Sequence, residues 1–122
     1  GVEVSSGAIS SAISAARHAG LSRSAASFIA DDATAWARAQ SPEDVPDVIV
    51  VNPPRRGIGA DLAAFLNECS APRVIYSSCN PTTLAADLAR MPSLRAVEGR
   101  LFDMFPHTTH AEVALLLERE GA

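Results

Sequence analysis

Two side chains in this sequence have the type and setting to do covalent chemistry. Cys79 stands in Ser78-Cys79-Asn80-Pro81, directly after the run Arg73-Val74-Ile75-Tyr76 and directly before a helix-forming segment. A strand-to-helix junction at the carboxyl end of a parallel strand faces ligand, and the N–H groups that open the next helix favour a negatively charged sulfur. That setting suits a nucleophile. Glu112 lies 33 positions further on, in His110-Ala111-Glu112-Val113 at the head of another apolar run, where it can serve as a base.

A sheet is needed to hold both groups, and the chain has the elements for one. Gly1-Val2-Glu3-Val4 is extended, and Ile9, Ile13 and Ala16 mark a helix from Ser6 to Ala19 with a serine N-cap and Gly20 as its stop. Ser27 to Ala30 reads as a short strand and Ala33 to Ala39 as a short helix. Ser41 to Pro46 is a loop, and Asp47 to Val51 is a β-branched run expected to be buried on both faces. Asn52 to Gly59, with two prolines and two glycines, is a loop at that strand's end. Ala60 to Cys69 is helical by the spacing of Leu62, Phe65, Leu66 and Cys69, Val74 to Ser77 is a strand, and Pro81 opens a helix to Arg90. Ala96 to Phe102 and Val113 to Glu118 are strands with no helix between them, which predicts an antiparallel pair at the end of the sheet.

Size and composition limit the function classes. The chain has 122 residues, 48% of them hydrophobic, enough for one domain or part of one. No apolar run reaches the roughly 18 residues of a membrane span, and no basic segment leads into an apolar one at the start, so a cytoplasmic setting without a membrane partner is expected. Two cysteines without repeated Cys/His spacing argue against a disulfide framework or a zinc site. Cys69, on an apolar helical face, reads as structural. A net charge of −4 gives little general attraction to a polyanion, so any RNA contact must be local. All ten basic residues are arginine, which reads as codon bias before it reads as phosphate binding.

Three segments in order, Val51-Asn52-Pro53-Pro54-Arg55-Arg56-Gly57, Tyr76-Ser77-Ser78-Cys79-Asn80-Pro81-Thr82-Thr83-Leu84 and Phe102-Asp103-Met104-Phe105-Pro106-His107-Thr108-Thr109-His110-Ala111-Glu112, resemble the RNA uracil-C5 methyltransferase family. Asn52 before the prolines makes the likeness nearest to the family's 23S ribosomal RNA branch. The resemblance implies an α/β, Rossmann-like class I fold that uses S-adenosylmethionine. It implies Cys79 as the nucleophile toward uracil C6 and Glu112 as the base that later takes the C5 proton. Glu3, at the end of its strand, would accept from the ribose hydroxyls of the cofactor. Asp32 would accept from the adenine amino group or cap a helix, and Asn52 would lie near the cofactor's methionine part and the target base. Arg55 and Arg56 would meet RNA phosphate or the uracil carbonyls, or simply form a solvated loop, while His107 and His110 would contact RNA or orient a loop.

An open parallel sheet of this type normally starts with a strand and a glycine-rich turn, whereas this chain starts at the acidic residue that would end the following strand. Residues 1–122 are therefore expected to be the C-terminal part of one catalytic domain, incomplete at its N-terminus. Ribosomal RNA is the expected partner, with no protein partner, and the [4Fe-4S] cluster found in several branches is expected to lie outside this chain. Two other readings remain open. An amino-group methyltransferase also uses Asn-Pro-Pro, but follows it with an aromatic residue where this chain has Arg55; a non-catalytic Rossmann-like fragment is the second.

Overall fold

The computed structural model describes residues 1–41, 43–104, 107–108 and 110–121. Phe105, Pro106 and Thr109 of the third segment, and Pro42 of the loop before Asp47, lie outside the described residues. The chain divides into two compact units, residues 1–39 and 40–122.

The first unit is built on a short parallel pair, β1 (Val2–Glu3) and β2 (Ile29–Ala30), with Glu3 opposite Ala30. Between them runs α1 (Ser6–His18). Ser5 caps it by accepting from the Ala8 N–H, and Gly20 stops it with a left-handed φ of 75° that lets Leu21 N–H reach the Ala16 carbonyl. The strand is shorter than its Ser27–Ala30 expectation. α2 (Ala33–Arg38) follows β2, capped by Asp32, whose Oδ1 accepts from Ala35 N–H at 2.9 Å.

The second unit contains β3 (Val48–Val51), α3 (Gly59–Glu68), β4 (Arg73–Ser78), α4 (Pro81–Ala89), β5 (Leu94–Phe102) and β6 (Glu112–Arg119). Its sheet has the order β3-β4-β6-β5. β3 and β4 are parallel, as a strand–helix–strand unit requires, and β6 is antiparallel to both of its neighbours. The expected pairing of the last two strands is present, with β6 inserted between β5 and β4. Val97 forms a bulge in β5, where the register shifts between Ala96 and Glu98.

The core of this unit lies where α3 and α4 cover the sheet: Leu66, Val74, Tyr76, Leu84, Met91 and Leu117 are buried there with Ala63. One expectation fails. β3 was expected to be buried on both faces, yet Val48 and Val50 are 39% and 64% exposed, while Ile49 and Val51 pack on the core. Val48 and Val50 share one face of β3, opposite the face of Ile49 and Val51 that packs on the core with α3 and α4 in this unit.

Arg119, near the end of β6, ties the sheet to the C-terminus of α3. Its guanidinium donates to the carbonyls of Leu66 (2.7 Å), Asn67 (2.8 Å) and Ala71 (3.0 Å) and to the Ser93 hydroxyl (2.9 Å). These carbonyls include helix-end acceptors that would otherwise lack partners. Arg119→Met is expected to destabilise the protein by about 2–4 kcal/mol, because a charged donor is lost and several half-buried acceptors are left unmet. Urea unfolding of the two proteins checks this.

Candidate active site

The pairing of β4 with β6 brings the nucleophile and base candidates together. Partners run from Arg73↔Glu118 to Ser78↔Val113, so Cys79, the residue after the last pair on β4, and Glu112, the residue before it on β6, stand at the same end of the sheet. Cys79 is half-buried, at the bend where β4 leaves the sheet for α4. Glu112 is the first residue of β6 rather than the residue ahead of it, and is paired on its other side with Phe102 of β5. The Ser77 hydroxyl donates to Glu112 Oε1 at 2.6 Å, which holds the carboxylate at the end of the sheet that carries the thiol.

Asn80 organises the turn after Cys79. Its side-chain oxygen caps α4 by accepting from Thr82 N–H (3.1 Å), and Pro81 fills the first helical turn, where no donor is needed. The other end of the same amide donates to the Arg55 carbonyl at 3.0 Å, and Thr83 Oγ1 donates to that carbonyl at 2.9 Å. The loop after β3 is thus fastened to the helix after Cys79.

Arg55 extends the connection through its side chain. Its Nη1 lies 3.1 Å from His110 Nδ1. Guanidinium nitrogen has no acceptor capacity, so Arg55 donates and the His110 ring accepts at Nδ1 with its proton on Nε2. Of the two roles expected for His110, orienting a loop is the one this geometry serves. Asn52 and Arg56 are exposed on the same loop.

Glu3 and Asp32 come together in the first unit, at the carboxyl ends of β1 and β2, where Asp31 N–H also donates to the Glu3 carbonyl. Glu3 Oε1 accepts from Ser5 N–H at 3.0 Å, and Asp32 Oδ1 caps α2. Each carboxylate has about four acceptor positions. A pair of exposed acceptors at this end of parallel strands fits a ligand that offers hydroxyl and amino donors, as the ribose and adenine of S-adenosylmethionine do. Among the described residues no group of three His, Cys, Asp or Glu side chains could hold a metal ion.

One residue near the site was not expected from the sequence. Asp87 of α4 is 1% exposed and its Oδ2 accepts from the Tyr76 hydroxyl at 2.6 Å and from Ile58 N–H at 2.9 Å, while Arg90 Nη1 meets Oδ1 at 3.1 Å. The signal was present in the helical period, since Asp87 falls three residues after the buried Leu84 on an otherwise apolar stripe.

The family model for tRNA (uracil-5-)-methyltransferase matches residues 44–120, more than half of the chain. The chain belongs to this family. It is 47% identical over 122 residues to the 23S rRNA (uracil(747)-C(5))-methyltransferase of Edwardsiella ictaluri, and 46% identical over 120 residues to the protein of that name from Escherichia coli. These matches cover 100% and 98% of this chain but 31% of each relative, so the chain spans about a third of their length. Among solved structures it is similar to the Pyrococcus abyssi tRNA (uracil-54, C5)-methyltransferase in complex with S-adenosyl-L-homocysteine. The TM-score is 0.82 at 31% identity, over 96% of this chain and 28% of that one. The fold is accordingly part of the Rossmann-like class I methyltransferase fold.

The Tyr76 phenol beside Asp87 gives a measurable pH effect. Burial raises its pKa well above the ordinary value of 10.0, and the hydrogen bond to Asp87 and that residue's charge raise it further, against a smaller lowering by the Ile58 backbone. The folded state then keeps the proton at pH values where the unfolded chain has lost it. Stability from this group is complete below about pH 10 and declines as pH rises from there toward the folded-state value. Tyr76→Phe is expected to flatten that alkaline decline in urea midpoints measured from pH 9 to 11, at the cost of lower stability at neutral pH.

Proposed function

We propose that the protein of which these residues are a part transfers a methyl group from S-adenosylmethionine to C5 of a uridine in ribosomal RNA, 23S rRNA in particular. Residues 1–122 would form the C-terminal part of its catalytic domain, with any [4Fe-4S] cluster held outside them. The observation that carries this reading is the β4–β6 register, which brings Glu112 to the end of the sheet where β4 leads into the half-buried Cys79, in a chain of this family. Relatives named for 23S rRNA, similar over the entire chain, favour that substrate over tRNA.

Uracil C5 is a weak nucleophile until a thiolate adds at C6. In the proposed reaction Cys79 Sγ forms a bond to C6, the C5–C6 electron pair moves toward C5 and the C4 oxygen, and C5 becomes able to take a methyl group. S-adenosylmethionine would supply that methyl as an electrophile, its sulfonium S–CH3 bond breaking as the C5–CH3 bond forms and S-adenosylhomocysteine leaving. C5 then carries both methyl and proton. Glu112 removes the proton, the C5–C6 double bond re-forms, and the electron pair of the S–C6 bond returns to Cys79. Ser77 keeps the carboxylate in place for that step.

Glu3 and Asp32 are assigned to the ribose and adenine of the cofactor, and Asn52 to the region between its methionine part and the base. Arg55 and Arg56 are assigned to RNA. Since C6 is covered in a base stack, the target nucleotide must be unpaired or turned out to meet Cys79. An amino-group methyltransferase is disfavoured because Arg55 occupies the place of its stacking aromatic, and because that chemistry needs no cysteine nucleophile.

RNA containing 5-fluorouridine tests the proposal, because fluorine replaces the proton that the base must remove and the adduct cannot break down. The full-length protein is expected to give a denaturation-resistant protein–RNA band that Cys79→Ala abolishes. With ordinary RNA, Glu112→Gln is expected to accumulate the same band, and Ser77→Ala to release product about tenfold more slowly than wild type. A wild-type protein that methylates RNA without any Cys79-dependent adduct would refute the covalent route.

A further inference from the structure

We propose that Asp87 is a positioning residue for methyl transfer, fixing the pose of the loop from Asn52 to Gly57 and so the presentation of Asn52 and Arg55 at the strand ends that carry Cys79. The inference rests on the methyltransferase reading above.

A carboxylate at this place needs explaining. Asp87 occupies a core position of α4, next in the helical period to Leu84, and a buried charge costs several kcal/mol unless its acceptors are met. A leucine there would serve packing alone. What leucine could not do is accept the Ile58 N–H, the last donor of the loop before the chain turns into α3. The partners of Asp87 span three elements: Tyr76 in β4, Ile58 at the end of the loop, and Arg90 at the end of α4 itself.

Gly57 shows how closely the loop is seated. It is buried with a left-handed φ of 83°, and a Cβ on it would overlap the Asp87 carboxylate. Only glycine meets both demands. The loop has few other means of being held, since Pro53 and Pro54 offer no N–H, and Gly57 N–H is spent on the Pro54 carbonyl at 2.9 Å. Besides the Arg55 guanidinium on His110, its anchors among the described residues are the Arg55 carbonyl, taken by Asn80 and Thr83, and the Ile58 N–H, taken by Asp87. The three side chains on these two backbone groups belong to α4 or its cap. The helix that starts after Cys79 therefore holds the loop at two points, and Asp87 sets the second.

The test is single-turnover methyl transfer by the full-length protein to an RNA transcript at saturating S-adenosylmethionine, with thermal melts in parallel so that rates are compared on folded protein. Asp87→Ala is expected to slow transfer on the order of ten- to a hundredfold, the scale of a small misplacement of reacting groups. Asp87→Asn, which keeps an oxygen for Ile58 and Tyr76, is expected to recover most of that loss. Gly57→Ala strains the same contact from the other side and is expected to slow transfer comparably. Combining Gly57→Ala with Asp87→Ala should slow transfer no more than about twofold beyond the worse single variant, because both break one contact. Lower melting temperatures with wild-type rates in Asp87→Ala, or in Gly57→Ala should the former not fold, would reduce Asp87 to a structural role and overturn the proposal, as would fully multiplicative losses. If wild type itself transfers no methyl group to RNA, the methyltransferase reading falls and takes this inference with it; an active wild type with unaffected variants refutes the inference alone.

Discussion

The register of β6 on β4 is the constraint from which the geometry around Cys79 follows. Because β6 enters the sheet beside β4 rather than beyond β5, the chain returns from β5 to place its first β6 residue across from the end of β4. Register in a half-buried sheet is set by which side chains face the core, and a slip of one residue would exchange the two faces along the whole strand. Val74 and Tyr76 on β4 and Leu117 on β6 are fully buried, so such a slip would put their places in the core at risk. The apolar middle of the pair thus fixes where its polar end stands. Glu112 owes its position to leucines and a tyrosine several residues away.

A second level of order begins where the sheet ends. The segment from Asn52 to Ile58 has no ladder partner, and two prolines deprive it of donors, so side chains of α4 replace the missing backbone bonds. Asn80 is economical here, with one end of its amide capping the helix and the other holding Arg55. This makes α4 more than a cover for the sheet. Its first turn follows the thiol, its side chains hold the loop after β3, and its apolar face packs on the sheet that supports both.

How much of this could be read from the amino-acid sequence depends on whether the information is local. The strands at Val48 and Val74 and the helices after Gly59 and Asn80 follow from short-range periodicity and stop signals, and their ends fell within a residue or two of expectation. Cys79 and Glu112 stood out because their surroundings mark strand ends. The order of strands is not local. An antiparallel pair could be inferred from two runs without a helix between them, but nothing in either run says which lies next to β4. The exposure of Val50 was missed for the same reason, since a β-branched run does not say which helices cover each of its faces. Asp87 was overlooked although its place on the helical stripe was visible, because a single acidic residue in an exposed-looking helix attracts no notice until its partners 11 and 29 residues away are known.

Each of the three motif segments brings a candidate residue to the reaction. Their hydrogen bonds suggest a tighter relation. The second segment holds the first, through Asn80 and Thr83 on the Arg55 carbonyl; the first holds the third, through the Arg55 guanidinium on His110; and the second holds the third again, through Ser77 on Glu112. Arg55 enters this circuit twice, once by its backbone and once by its side chain, so within the circuit its side chain serves only the contact with His110. A substitution there would loosen the third segment while leaving the loop fastened to α4. Side chains bonded in such a ring lose little freedom individually when a substrate arrives, because each already has its partner. The ring explains why residues so far apart in sequence belong together: removing one segment's side chains disturbs the geometry of both others.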